Sequence, residues 1–146
     1  MSKATLKVGA AQFASVIGDV DANIPRHLDW IAQGRSRGLD LLVMPELSLT
    51  GHYGPLSLLD VAMRNSDPRL SRLAESAGGM SVVVGFIEEA PAAQFYNTTV
   101  ILRGGGVVYL HRKINLPTYA KLEEGKHYAQ GRFVDTYGLD DNWRAG

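Results

Sequence analysis

Cysteine does not occur anywhere in the 146 residues. Its absence excludes disulfides, thiolate metal sites and a thiol nucleophile within this chain. An excess of charge of one sign is also missing, because Lys plus Arg is 15 and Asp plus Glu is 15. No net field gathers nucleic acid or an anionic membrane surface, so neither is expected as a partner. No apolar run reaches the roughly 18 residues of a transmembrane helix, and the polar start M-S-K-A-T-L-K has no secretory signal core. A soluble, cytoplasmic chain is expected. Repeats, low-complexity tracts and linkers are absent too, so residues 1–146 read as one unit, long enough to bury about 68–70% of its unfolded surface.

The residues that are present alternate between strand and helix patterns. L-K-V-G-A-A-Q-F, Leu6 to Phe13, is short and mostly apolar and precedes a Gly18-Asp19 turn, which suits a buried strand. A helix is expected next, with Asp21 or Asn23 as N-cap, Pro25 in its first turn, Ile24, Leu28 and Ile31 on one face, and an end by Gly38. L-D-L-L-V-M-P, Leu39 to Pro45, reads as a second strand covered on both faces, and strand-helix-strand implies a parallel pair. After an irregular stretch through Gly51 and Pro55, Asp67-Pro68 opens a helix that Gly78-Gly79 stops. S-V-V-V-G-F-I, Ser81 to Ile87, is a third strand. Y-N-T-T-V-I-L, Tyr96 to Leu102, and V-V-Y-L-H-R-K, Val107 to Lys113, flank three glycines as a hairpin.

Two places in this order carry chemistry. Glu46 follows the second strand directly in L-L-V-M-P-E-L, and open α/β sheets bind ligands just outside the carboxyl ends of their strands. Position alone leaves a solvated or Arg-paired loop carboxylate equally open. Lys113 ends the hairpin's second strand and runs into I-N-L-P-T-Y-A-K-L-E-E-G-K-H-Y, a loop with a proline, two tyrosines and an acidic pair. Alone, such a lysine is an ordinary snorkelling surface residue.

Together the motifs are more specific. P-E-L-x-L-T-G after a buried strand, Y-N-T-T-V-I-L near a hairpin, and R-K-x-x-L-P-x-Y followed by a glutamate resemble the nitrilase superfamily of carbon-nitrogen hydrolases. The resemblance runs from Leu6 to Gly146 and implies an α/β fold that forms part of a four-layer α-β-β-α sandwich. It places the family's general base on Glu46, its lysine on Lys113 and a further site glutamate on Glu124, with Glu123 one register away. Burial raises a carboxyl pKa toward the range where a base works best, and a neighbouring Lys113 limits that rise. Lys113 beside a carbonyl or nitrile carbon under attack stabilises the developing oxyanion. Tyr53 and Tyr119 are candidate pocket walls for the substrate, or else core tyrosines with satisfied hydroxyls.

The family's nucleophile is a cysteine. In relatives, the segment like F-V-D-T-Y-G, Phe133 to Gly138, leads into a strand that ends on it, whereas this sequence stops at W-R-A-G a few residues earlier. The expectation is therefore the amino-terminal portion of the domain, its cysteine lying beyond this chain. It should be inactive alone and prone to form homo-oligomers or to associate with the remainder of the domain. The implied substrate is a small amide or nitrile, with no cofactor. Two alternatives are the glutaminase part of a glutamine-dependent synthetase and an inactive half-domain that works as an interaction module. A metal site from Glu46, His52, His111 and His127 is not expected, since no paired His-x-x-x-His spacing occurs; His111 and His127 read as hydrogen-bonded structural residues.

Overall fold

The structure is a computed structural model that describes residues 5–52, 57–119, 123–132 and 137–138. Tyr53 and Pro55, the Phe133–Thr136 part of the F-V-D-T-Y-G segment and the W-R-A-G end lie outside the described residues.

Strands β1 (Val8–Ala10) and β2 (Leu41–Val43) run parallel, joined by helix α1 (Val20–Ser36), and β3 (Ser81–Ala90) adds in parallel beside β2. Helices α2 (Leu58–Val61) and α3 (Pro68–Ala77) lie between β2 and β3 in the chain. The direction then alternates, with β4 (Gln94–Arg103), β5 (Gly106–Arg112) and β6 (Tyr137–Gly138) each pairing antiparallel with its predecessor. The result is one mixed sheet in the order β1-β2-β3-β4-β5-β6, with α4 (Glu124–His127) between β5 and β6 in the chain. The expected α/β class, parallel pair and glycine hairpin are all present, and Asp67 caps α3 by accepting from Arg69 N at 2.9 Å.

Several boundaries differ from the expected ones for physical reasons. The first helix is capped by Asp19, whose carboxylate accepts from Ala22 N at 2.9 Å, so Asp21 and Pro25 lie inside the helix. Asn23 is not a cap but a buried brace: its amide accepts from Val16 N at 2.8 Å and donates to Val16 O at 2.8 Å and Leu49 O at 2.9 Å. The first two strands are shorter than their apolar runs, and β2 stops before Pro45, which has no N–H to offer the ladder. β3 runs past Ile87 to Ala90, since Glu88 finds charged and hydroxyl partners inside the sheet. The stretch taken as irregular contains α2, capped by Ser57.

Alternation along the strands divides the core. On one face α1 and α3 pack together and set Ile24, Ile31, Leu70, Leu73 and Ala77 against Leu42, Val82, Val84, Phe86, Val100 and Leu102. The opposite face presents half-buried Leu41, Val43, Val83 and Ile101 and an exposed Val8. A smaller cluster of Leu47, Val61, Ile87 and Tyr128 closes one end of the sheet.

Two buried polar groupings tie these parts. Arg112 donates to both oxygens of Glu88 at 2.8 Å, and Thr98 Oγ1 donates to Glu88 Oε2 at 2.7 Å, linking β3, β4 and β5. The guanidinium also lies 4.2 Å from the Tyr96 ring centre. His27 Nδ1 stands 2.8 Å from Asn23 O, an acceptor, so that nitrogen carries the proton and Nε2 accepts from Ser48 Oγ at 2.9 Å. Desolvation by burial holds the His27 pKa below its ordinary value, reinforced by the charge of Arg26 and opposed by the Asn23 carbonyl.

Two outcomes follow. Glu88→Ala removes a buried carboxylate that accepts two bonds from Arg112 and one from Thr98, and should cost about 3–5 kcal/mol in denaturant unfolding, with a smaller loss when Glu88 and Arg112 are replaced together by methionine; a single-variant loss below about 1 kcal/mol would contradict the pairing. Because the folded state resists protonating His27, its stabilising contribution is full above the unfolded value of about 6.5 and declines as pH falls below it. Thermal melting followed from pH 7.5 downward should therefore show a slope that His27→Gln flattens; an equal slope in the variant would assign it to other groups.

Candidate active site

Pro45 follows β2 by two residues, and residues 46–50 fold into a tight turn that rests on β3. Leu49 N donates to Gly85 O at 3.0 Å and Gly51 N donates to Leu47 O at 2.7 Å. Leu47 adopts a left-handed φ of 49°, which costs a non-glycine residue about 1–3 kcal/mol. Burial of its side chain among Val61, Ile87 and Tyr128 offsets that strain. Ser48 is held from below, by His27 at its hydroxyl and by Ser15 Oγ, which donates to its carbonyl at 2.8 Å. The turn is fixed on its inner side, and Glu46 projects from its outer side.

Lys113 reaches the same place from the end of β5. Its backbone N donates to Asn97 O at 2.8 Å, and its ammonium lies 2.7 Å from Glu46 Oε1. Glu124, on α4, completes the group with its two oxygens 3.0 and 3.2 Å from Lys113 Nζ. The resemblance assigns Glu124, with Glu123 one register away; the structure turns Glu124 inward, 1% exposed, while Glu123 pairs with Lys126 at 2.7 Å in solvent. Asn97 donates from Nδ2 to Glu46 Oε1 at 2.8 Å, so one residue braces the base through its side chain and the lysine through its carbonyl. Asn97 was not singled out from the sequence. Its signal lay in Y-N-T-T, where a polar side chain stands on the strand face opposite Thr98.

The charge states differ from the expectation in one respect. Burial raises the Glu46 pKa, but the Lys113 and Asn97 hydrogen bonds and the charges of Lys113 and His52 outweigh it and hold the carboxyl below its ordinary value. The expected rise toward neutrality is corrected, because the bonds from Lys113 and Asn97 favour the charged form more than partial burial disfavours it. For Lys113 burial acts downward, and the hydrogen bonds and charges of Glu46 and Glu124 prevail to raise it. At neutral pH Lys113 is an ammonium, and Glu46 is ionised and able to accept a proton.

The remaining candidates take different positions. Tyr119 is 70% exposed on the rim of an open recess of about 500 Å³ that Lys113 and Pro117 also line, so the reading of it as a core tyrosine is excluded. Tyr53 lies outside the described residues. His52 lines a second recess of about 380 Å³ with Phe13, Pro45 and Glu46, whereas His111 is on β5 opposite Thr99 and His127 ends α4. Among the described residues no group of three metal-ligating side chains converges, and no helix is long and apolar enough to cross a membrane.

The mixed α/β sheet that carries these side chains has counterparts among known proteins. The carbon-nitrogen hydrolase profile matches residues 7–138, and the chain belongs to that family. Among its relatives, the glutamine-dependent NAD(+) synthetase of Thermotoga maritima is 30% identical over 129 residues, covering 86% of this chain and 22% of that protein. The structure of the glutamine-dependent NAD+ synthetase from Acinetobacter baumannii superposes with a TM-score of 0.73 at 28% identity, over 87% of this chain and 24% of that one. An amidase from Nesterenkonia sp. shares the fold, with a TM-score of 0.70 at 23% identity over 87% of this chain and 48% of that one. This chain thus spans about a quarter of the synthetases and about half of the amidase.

The Asn97 bond to Glu46 is open to direct measurement. Asn97→Leu should raise the titration midpoint of the Glu46 carboxyl, read by carbon NMR, because one of the bonds favouring its charged form is lost. An unchanged midpoint would mean that Lys113 alone orients the carboxylate.

Proposed function

We propose that Glu46, Lys113 and Glu124 are the acid-base part of a site that hydrolyses the side-chain amide of glutamine, within the glutaminase portion of a glutamine-dependent synthetase. The observation that carries this reading is the Lys113 ammonium set 2.7 Å from one carboxylate and 3.0 Å from another at a strand end. The synthetase relatives support glutamine as the amide, in preference to a nitrile or another amide.

The chemistry assigns a role to each group. A cysteine thiol adds to the amide carbon while Glu46 takes its proton, and the carbonyl electron pair moves onto oxygen beside the Lys113 ammonium. One such oxyanion donor contributes about 3 kcal/mol in comparable sites. Collapse of the intermediate breaks the carbon-nitrogen bond, and the proton held by Glu46 leaves with ammonia. Water then adds to the thioester with Glu46 again as base, releasing glutamate and the thiol. Glu124 keeps Lys113 charged and in place. The thiol itself has to come from outside these 146 residues, which contain no cysteine. Without it the chain works at most as a binding half, and the apolar sheet face around Val8 and Val83 favours association with the cysteine-bearing remainder or with a second copy.

Three measurements test the reading. In a chain that also carries the nucleophile, Glu46→Gln should lower glutamine turnover by about 10²–10⁴-fold with the fold intact, and an unaltered rate would return Glu46 to a structural role. Lys113→Met should lower kcat, whereas an effect on KM alone would make it a substrate-binding group. The 146 residues by themselves should release no ammonia from glutamine and should sediment as a species larger than a monomer. Turnover by a monodisperse monomer would overturn the assignment of a thiol nucleophile.

A further inference from the structure

Gly85 and Gly131 are buried, and neither has the left-handed backbone that usually calls for glycine; among the described residues the positive-φ glycines are Gly18, Gly38, Gly51, Gly78, Gly104 and Gly105. What distinguishes these two is crowding. A Cβ on Gly85 would lie 2.7 Å from Leu47 N, 3.3 Å from Leu47 Cα and 3.5 Å from the Glu46 carbonyl carbon. A Cβ on Gly131 would lie 2.2 Å from Arg112 O and 2.7 Å from Arg112 C. The obstacles are backbone atoms, which cannot rotate aside as a flexible side chain can. By contrast, a Cβ on Gly79 or Gly106 would meet nothing within 4 Å.

Each crowded glycine marks a crossing of two chain segments, and each crossing holds one member of the site. At Gly85 the Glu46-Leu47 backbone lies flat on β3 and is pinned by Leu49 N donating to Gly85 O at 3.0 Å. At Gly131 the segment that follows α4 lies across the end of β5 and is pinned by Gly131 N donating to Lys113 O at 2.9 Å. That segment is stitched back to Glu124 by Tyr128 N donating to Glu124 O at 2.8 Å, and to β4 by Ala129 N donating to Phe95 O at 2.7 Å. Leu47 and Tyr128, from the two crossing segments, then pack in the same small apolar cluster.

We propose that Gly85 and Gly131 are positioning residues: each allows the backbone approach that sets one carboxylate, Glu46 or Glu124, against Lys113. The proposal rests on reading those three side chains as one site. A methyl group at Gly85 lifts the Glu46 turn off β3, and one at Gly131 lifts the Glu124 segment off β5, so each substitution should loosen one side of the clasp and spare the other.

The test is NMR on the 146-residue chain with Gly85→Ala, Gly131→Ala and the uncrowded control Gly106→Ala. Gly85→Ala should raise the Glu46 carboxyl midpoint, since its lowering depends on Lys113 and Asn97, while the Lys113 ammonium keeps its contact with Glu124. Gly131→Ala should leave the Glu46 midpoint low and remove the Lys113-Glu124 contact, seen as faster exchange of the ammonium protons and loss of the coupling across that bond. Gly106→Ala should change neither. A purely structural role predicts lower melting temperatures with both contacts retained, and that result overturns the proposal, as do changes no larger than those of the control. Should Gly85→Ala fail to fold, Gly131→Ala decides alone. None of these readouts requires turnover, so positioning can fail while Glu46 remains the base, and the catalytic assignment can fail while the two crossings still hold the clasp.

Discussion

A single ammonium between two carboxylates is the constraint on which this end of the molecule depends. Glu124 is almost fully buried, and an ionised carboxylate there is tolerable only with a cation in contact. Lys113 is that cation, and it also serves Glu46, which remains half in solvent. Removing the lysine takes the cation from the buried Glu124 and leaves Glu46 with the Asn97 bond. The site is therefore organised around the position of one nitrogen atom, and the elements nearby act chiefly to keep that atom where both acids can reach it.

That task falls to the sheet. Glu46 leaves β2, Lys113 leaves β5, and β4 between them contributes Asn97, which touches the first through its side chain and the second through its main chain. Because β2, β3 and β5 run in one direction and β4 in the other, the groups gather at the same edge without any long loop having to reach it. The small cluster under that edge makes the arrangement cooperative. Leu47 and Tyr128 belong to different segments, yet they bury their side chains against each other's neighbours, so the left-handed Leu47 and the short α4 stabilise one another.

How far the sequence reveals this depends on how local the signal is. Glu46 and Lys113 were legible because each follows an apolar run at a strand end and sits in a motif with family resemblance. The glycine hairpin and the Asp67-Pro68 helix start were legible because turn and cap chemistry act over a few residues. Glu88 was hidden, since an acidic residue beyond V-V-V-G-F-I looks like the end of a strand until Arg112, from another strand, is found beside it. His27 and Asn23 were hidden in the same way, as their partners Ser48, Val16 and Leu49 are brought close only by folding. The downward displacement of the Glu46 pKa also needed coordinates, because it turns on Lys113 and Asn97, 67 and 51 residues away in sequence, which folding brings to the carboxylate.

Arg112 and Lys113 are adjacent in sequence, and alternation sends them to opposite sides of the sheet: the guanidinium goes to the Glu88 cluster beneath the helices, the ammonium to the paired acids. Two cations with unrelated duties are thus phased by one strand, and the irregularity between Ile101 and Leu102, where the pairing of β4 with β5 shifts, lies upstream of both. Sliding β5 by a single residue would turn both side chains to the other face and take each cation away from its acid. The spacing between the hairpin turn and Arg112 therefore decides which face each cation reaches, and a residue inserted downstream of the Gly104-Gly105 turn would disturb both charge groups together.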